Sequence, residues 1–156
     1  MEYQIGHYQE LPQYQKLEDI GLPADGIEDG IANLVRALQA IRVGTHASCE
    51  GHLDHGHKHP WVGFNPFSIA KIVALKHLVN GYNEEHEIEW TVDKNWLSTN
   101  AYQYACCEYV HNPDERKRMS RNRLRILQES ADQLANYIFD HRKDDDIKEL
   151  ILIRGL

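Results

Sequence analysis

Apolar residues recur at helical spacing in three segments of this chain. The segments predict helices over residues 25–42, from residue 69 to a stop at Asn80–Gly81, and from Asn112–Pro113 to about His141. Apolar residues three and four positions apart form one face, which packs a helix onto a core. The stripe residues are Ile27, Ile31, Leu34, Val35, Leu38 and Ile41, then Ile69, Ile72, Val73 and Val79, then Leu124, Leu127, Ala131, Leu134 and Ile138.

Strand patterns lie between the helical segments in two pairs. Thr45–Cys49 and Pro60–Phe64 flank a polar loop, and the alternating run Glu87–Asp93 precedes a turn at Asn95–Thr99 and an aromatic-rich strand at Tyr102–Val110. Alternation and aromatic enrichment are typical of strands. The predicted order is helix–strand–strand–helix–strand–strand–helix, an α+β fold with a mainly antiparallel sheet.

The length and composition predict one domain over residues 1–156. The chain has 42% hydrophobic and 26% charged residues, a mixture typical of globular proteins. Residues 1–24 are rich in Tyr and Gln, and we expect an irregular arm there. Residues 144–156 form a predicted C-terminal tail, in which Ile147–Ile153 is either a final strand or a docked turn.

Composition also excludes some classes of protein. No stretch approaches the roughly 18 apolar residues of a membrane helix, so we expect no membrane partner. The first twenty residues lack the apolar core flanked by basic residues that marks a secretory signal. Three cysteines, two of them adjacent, do not form a disulfide framework, and together these features predict a cytoplasmic protein. A net charge of -7 argues against nucleic-acid binding over the whole surface.

Reactive side chains are concentrated in Thr45–Val62. Between His46 and His59 the chain carries five of its ten histidines, a thiol and two carboxylates, Glu50 and Asp54. Imidazole, thiolate and carboxylate are the ligands of zinc, which takes about four of them. The segment therefore predicts a site for zinc or another divalent transition metal. The candidate ligands are Cys49, His52, His55, His57 and His59, with Asp54 as a further one.

A metal in this loop predicts a small metal-dependent enzyme. The ion would act as Lewis acid and activate water, with Glu50 as the acid/base. The predicted catalytic residues are Cys49, Glu50 and His52. The residues predicted to bind a small-molecule ligand are Ser48, Asp54 and Trp61.

Two other interpretations of the same loop are open. In one, an imidazole activates the Cys49 thiolate as a nucleophile, as in thiol hydrolases. In the other, no metal binds: His55, His57 and His59 are solvated loop residues, and His52 is a hydrogen-bonded partner of Glu50 or Asp54. A metal-free ligand-binding module is a separate alternative function of the chain.

A basic run at the start of the third helix predicts an alternative function. Positive charge there opposes the helix dipole, which suggests an anionic partner such as RNA. Tyr102, Tyr104 and Tyr109 lie nearby in sequence and are able to stack on bases. The competing interpretation pairs the arginines with glutamates between residues 84 and 89, and the apolar stripe of this helix also offers a homodimer contact. The basic residues are Arg116, Lys117, Arg118, Arg121, Arg123 and Arg125.

The loop also contains a compact motif: Thr45-x-x-Ser48-Cys49-Glu50-Gly51-His52, followed by Asp54, Gly56 and Pro60-Trp61. This motif resembles a pattern in small bacterial and phage proteins that have no assigned activity. Ser48, Cys49 and Gly51 are also similar to the Ser-Cys-x-Gly signature of the wybutosine-synthesising tRNA methyltransferase family. That resemblance implies tRNA and S-adenosylmethionine binding, and His52 stands where the family usually carries Arg.

Overall fold

The computed structural model describes residues 14–65, 69–99 and 119–152. A short 3-10 turn, Leu17–Asp19, precedes the first helix. The helices are α1 (Asp29–Ala40), α2 (Ile69–Glu85), α3 (Arg121–His141) and α4 (Asp145–Leu152). The strands are β1 (Thr45–Cys49), β2 (Trp61–Phe64), β3 (Thr91–Asp93) and β4 (Trp96–Ser98). These elements confirm the predicted α+β class and the predicted order of helices and strands.

The four strands form one antiparallel sheet in the order β1-β2-β4-β3. Cys49 at the end of β1 lies opposite Trp61 of β2, and Trp61 in turn lies opposite Ser98 of β4. Because side chains alternate along a strand, Val62 and Leu97 face the other side of the sheet, where both are fully buried in the core. One face of the sheet therefore packs on the core, and Cys49 lies at one end of the edge strand.

The core is built mainly by α1 and α3, which have the most extensive contact of any two elements. Their buried stripes follow the predicted spacing: Ile31, Leu34, Val35 and Leu38 in α1, and Leu124, Leu127, Ala131, Leu134 and Ile138 in α3. The 3-10 turn adds Leu17, and Ile20 follows it into the same core. The predicted N-terminal arm is thus partly packed over residues 14–24, and residues 1–13 lie outside the described ranges.

The second helix continues beyond its predicted stop at Asn80–Gly81. It ends at Glu85, with Tyr82 fully buried one residue after the glycine. A Cβ at position 81 would overlap the hydroxyl group of Tyr137. The glycine therefore serves the close approach of α2 and α3, and the prediction that it ends the helix is wrong.

The predicted strand Glu87–Asp93 and the turn after it are both shorter than expected. Only Thr91–Asp93 pairs in the sheet, because the side chain of Asn83 binds the backbone of Trp90 at both its N–H (2.9 Å) and its carbonyl (2.8 Å). The turn needs only Lys94 and Asn95, with Lys94 at a φ of 56°, and β4 follows directly. The predicted strand Tyr102–Val110 lies outside the described residues.

The C-terminal segment is a helix, which corrects the predicted strand or docked turn. Asp145 and Asp146 occupy the first turn of α4, where negative charge favours the helix dipole. Ile147 and Ile151 are four residues apart and both buried, and α4 packs on α2. Within the part of the chain that is described, no helix is long and apolar enough to cross a membrane.

Buried hydrogen bonds centred on Ser130 join α2, α3 and the chain before β3. Its hydroxyl lies 2.9 Å from Trp90 Nε1, which donates to it, and 2.9 Å from the Tyr82 hydroxyl. All three side chains are buried. Loss of the hydroxyl would leave an indole N–H and a phenol without this partner, at the cost that an unsatisfied buried polar group carries.

We expect Ser130→Ala to lower the free energy of unfolding by about 1–3 kcal/mol, measured by urea denaturation. Arg123→Ala, at an exposed position of the same helix, is the control and should change it by less than about 0.5 kcal/mol. Equal stability of the two variants would contradict a structural role for the Ser130 hydroxyl.

Candidate metal centre

Glu28, Cys49 and His52 lie together although the sequence separates them. A carboxylate oxygen, the thiol sulfur and an imidazole nitrogen all lie within 4.8 Å of one another. Glu28 is the N-cap residue of α1, Cys49 ends β1, and His52 is in the loop that follows. The three side chains are therefore close enough to hold one metal ion.

Two carboxylates bind α1 and the loop to each other. Glu28 Oε1 accepts a hydrogen bond from the backbone N–H of Glu50 (3.1 Å), and Glu50 Oε1 accepts one from the backbone N–H of Gly30 (2.9 Å). The Gly30 N–H belongs to the first turn of α1, where helical N–H groups lack partners within the helix. A carboxylate there is also favoured by the helix dipole. The Glu50 carboxylate thus holds the N-terminus of α1, and the Glu28 carboxylate holds the start of the loop.

Gly51 allows the chain to turn sharply after Glu50. Its φ is +91°, and a Cβ at this position would lie 2.6 Å from the carbonyl oxygen of Lys58 and 2.7 Å from Leu124 Cδ1. The carbonyl of Glu50 also accepts a hydrogen bond from Gln128 Nε2 (3.1 Å). The loop is therefore held between its own later residues and α3.

His52 is bound on two sides. Its Nε2 lies 2.9 Å from Glu28 Oε2, with 23% and 34% of the two side chains exposed. Its backbone N–H donates to the carbonyl of His57 (2.9 Å), and its ring stacks on that of His55 at 4.3 Å between centroids. The imidazole is thus held against the carboxylate and remains partly open to solvent.

The surroundings of Cys49 raise the pKa of its thiol. Burial raises its pKa most, and the nearby Glu28 carboxylate raises it further, while the N–H of Gly51, 3.4 Å from Sγ, acts in the opposite direction. A thiol with a raised pKa is a poor nucleophile near neutral pH. The arrangement therefore argues against metal-free thiolate catalysis by Cys49.

The later histidines have different partners. His55 Nδ1 lies 2.7 Å from Asp54 Oδ1 on the exposed surface, and this contact lowers the pKa of Asp54. His57 packs edge-on against the ring of Trp61, and burial lowers its pKa. His59 is buried, with Nδ1 2.9 Å from Thr99 Oγ1. Of the five predicted ligands, the structure brings Cys49 and His52 together, and in the described ranges the other three lie outside that group.

Trp61 and Ser48 lie on opposite faces of the sheet. Trp61 pairs with Cys49 across β1 and β2, and its ring contacts Trp96 at 4.8 Å between centroids. Ser48 pairs with Val62, whose side chain is in the core. Of the predicted ligand-binding residues Ser48 and Trp61, only Trp61 therefore lies on the same face of the sheet as Cys49.

Sequence reasoning missed Glu28 as a candidate ligand. The residue directly precedes a helix, where an acidic side chain is common because of the helix dipole, and it is 21 positions from Cys49. Its N-cap position is known only from the structure, because the sequence predicts a helix over residues 25–42, which places Glu28 inside that helix.

Half of the basic run lies within the described residues. Arg125 is bound to Glu129 (2.6 Å) and to Asn122 (2.7 Å) on its own helix. Arg121 and Arg123 are exposed in the first turn of α3. In residues 14–65, 69–99 and 119–152, no ion pair joins these arginines to the glutamates at 84–89, the partners predicted for them. Arg116, Lys117, Arg118 and the tyrosines at 102, 104 and 109 lie outside those ranges.

Comparisons with protein-family models, with curated proteins and with solved structures find no match to this chain.

Substitution of Gly51 should disturb the loop more than substitution of Gly56. Both glycines have positive φ, but a Cβ at Gly56 would meet nothing within 4 Å. We expect Gly56→Ala to lower the free energy of unfolding by about 1 kcal/mol and Gly51→Ala by at least about 2 kcal/mol, because the second variant adds steric overlap to backbone strain. Urea denaturation measures both, and equal losses would contradict this account of the loop.

Glu28→Gln should make Cys49 more reactive, because removal of the carboxylate charge lowers the pKa of the thiol. We expect iodoacetamide to alkylate Cys49 roughly 3- to 10-fold faster at pH 8 in metal-free protein. Mass spectrometry of the peptide that contains Cys49 distinguishes its alkylation from that of Cys106 and Cys107. Glu149→Gln, which removes an exposed charge from α4, is the control. An unchanged rate in Glu28→Gln would show that the carboxylate does not act on the thiol.

Proposed function

We propose that this protein is a small metal-dependent enzyme that binds zinc or a similar divalent transition metal through Glu28, Cys49 and His52. The observation that carries the proposal is the approach of the three ligand atoms to within 4.8 Å. They come from a helix terminus, a strand end and a loop that hydrogen bonds hold together. A site on such rigid supports is held close to one geometry before the ion arrives.

The chemistry of the three side chains fits zinc better than magnesium or calcium. Thiolate and imidazole suit zinc and related transition metals, whereas magnesium and calcium take oxygen ligands almost exclusively. Three protein ligands are also the usual number in catalytic zinc sites, where water or substrate takes the fourth position. The set therefore supports an enzyme better than a purely structural zinc site, which is normally closed by four protein ligands.

The roles of the chain's own residues follow from their contacts. Glu28, Cys49 and His52 would hold the ion, which would supply Lewis-acid activation of water. The sequence predicts Glu50 as the acid/base, but its Oε1 accepts a hydrogen bond from the backbone N–H of Gly30 at the N-terminus of α1. In this proposal it is a positioning residue for the loop. A reduced Cys49 is required, which agrees with the cytoplasmic location predicted from the sequence.

The other interpretations of the sequence differ in what they require. A metal-free ligand-binding module needs no ion, and nucleic-acid binding through the basic helix would weaken steeply with salt. Among the residues that the structure describes, neither has a contact in its favour as specific as the approach of the three ligand atoms. We therefore keep the metal-dependent enzyme as the proposed function.

Zinc titration of the full chain tests the proposal. We expect about one zinc ion per chain, and Cys49→Ser, His52→Ala and Glu28→Gln should each lower the affinity by at least about 100-fold, more than the loss of a residue that only orients a ligand. Calorimetry measures the affinity, and elemental analysis after dialysis measures the stoichiometry.

His77→Ala is the matched control, since it removes an exposed imidazole from α2 and should leave zinc binding unchanged. His55→Ala and His57→Ala test the ligands predicted from sequence but placed outside the group. Absence of zinc binding in the wild-type protein, or full binding in Cys49→Ser and His52→Ala, would refute the proposal.

A further inference from the structure

A groove lies between α2 and β3, which is the edge strand of the sheet. Its volume is about 340 Å³, and its described lining includes none of the candidate metal ligands. Pockets that bind small ligands start at roughly 300 Å³. The lining includes Lys76, Val79 and Asn83 from α2, and Glu89, Trp90 and Val92 from the segment that forms β3.

The backbone of Val92 points to the open edge of the sheet. Phe64 of β2 donates a backbone hydrogen bond to the carbonyl of Asn95 (2.9 Å). Two positions along the same pair of strands, Val62 lies opposite Leu97. Because hydrogen-bonded positions recur at every second residue, the N–H and carbonyl of Leu97 point toward β2. Val92 lies opposite Leu97 in β3, so its own N–H and carbonyl point away from β4.

Asn83 shows how a partner is supplied at the neighbouring position of this edge. Trp90 lies two residues before Val92, and the side-chain amide of Asn83 binds both its N–H (2.9 Å) and its carbonyl (2.8 Å). A primary amide offers a donor and an acceptor, as a residue of a neighbouring strand does. Within the described residues, no hydrogen bond uses the N–H or the carbonyl of Val92. The groove therefore contains a donor–acceptor pair of the sheet edge that a ligand is able to use.

The two ends of the groove carry opposite charges. One end is marked by the contact of Asn83 with Trp90, which Glu89 directly precedes. Lys76 lies on the same face of α2 two turns earlier, about 10.5 Å away along the helix axis. About three residues of extended chain span that distance. In residues 14–65, 69–99 and 119–152, neither Glu89 nor Lys76 forms an ion pair.

We infer that this groove binds a free peptide of about three residues, extended alongside β3. The peptide backbone pairs with Val92, its terminal ammonium with Glu89 and its terminal carboxylate with Lys76. In peptides that add to a sheet edge, main-chain hydrogen bonds give affinity and side-chain pockets give specificity. The apolar surface of Val79 is available here to a peptide side chain. This site is separate from the proposed metal-dependent activity and does not require it.

The end charges also set the direction of the peptide. Its amino end lies near Glu89 and its carboxyl end near Lys76, so it runs parallel to β3. In a parallel pair, one residue hydrogen-bonds to the two residues that flank the one opposite it. Val92 therefore donates to the carbonyl of the first peptide residue and accepts from the N–H of the third. The N–H of the second peptide residue points away from β3.

Modified peptides test the backbone pairing. A library of tripeptides with free ends is screened against the full chain by saturation-transfer NMR, and the strongest binder is the probe. N-methylation of its third residue should weaken binding at least about tenfold, because it removes the donor to Val92 and adds bulk at the contact. N-methylation of its second residue should weaken binding less than about threefold. In isotope-labelled protein, the probe should shift the amide resonance of Val92.

Protein variants test the two charged ends. We expect Lys76→Gln and Glu89→Gln each to weaken binding of the probe about three- to tenfold. Lys148→Gln, which removes an exposed lysine from α4, is the matched control and should change it less than about 1.5-fold. Amidation of the probe's carboxyl end should weaken its binding to the wild type but cause no further loss in Lys76→Gln, because both changes remove the same contact.

The outcomes decide the inference without reference to zinc. It is overturned if no tripeptide in the library binds, if N-methylation at the second and third residues costs the same, or if amidation and Lys76→Gln act additively. A probe that keeps its affinity with both ends capped would refute the roles of Glu89 and Lys76, and would indicate that the edge takes an internal segment of a polypeptide. The zinc affinity of Lys76→Gln should equal that of the wild type, so the failure of either site leaves the other in place.

Discussion

The reciprocal hydrogen bonds between Glu28 and Glu50 hold the candidate centre together. Each carboxylate accepts a backbone N–H from the other's segment, so the start of α1 and the loop after β1 fix each other. This contact leaves Glu28 Oε2 beside His52 and brings Cys49 against the same carboxylate. Without these two hydrogen bonds, the N–H of Gly30 would lose Glu50 Oε1 as its acceptor. The contact that holds Glu28 beside the loop of Cys49 and His52 would also be lost.

This arrangement has an electrostatic consequence. Glu28 serves at once as acceptor for the loop, partner of His52 and neighbour of the Cys49 thiol. Burial and negative charge together oppose a free thiolate, whereas a divalent cation would neutralise thiolate and carboxylate together. The raised pKa of the Cys49 thiol argues against a metal-free thiolate nucleophile, and the ligand atoms of Glu28, Cys49 and His52 are close enough to hold one ion. Gln128 and Leu124 then extend the support from the loop to α3.

Local patterns predicted the helices better than they predicted the turns. The stripes of α1 and α3 appear as expected because core packing requires the same face that periodicity records. The prediction that α2 stops at Gly81 is wrong, because this glycine allows close contact with Tyr137 and does not end the helix. The strand β3 is shorter than predicted because the side chain of Asn83 binds the backbone N–H and carbonyl of Trp90. No local sequence pattern indicates that a side chain will take the place of a neighbouring strand.

By itself, the sequence determined the α+β class, the order of the elements and the segment in which Cys49 and His52 lie. These features depend on spacing along the chain, which periodicity and composition report directly. Only the tertiary structure decided that Glu28 joins them and that His55, His57 and His59 have other partners. A ligand set depends on distances between segments far apart in sequence, and those distances are fixed by helix ends, sheet register and packing.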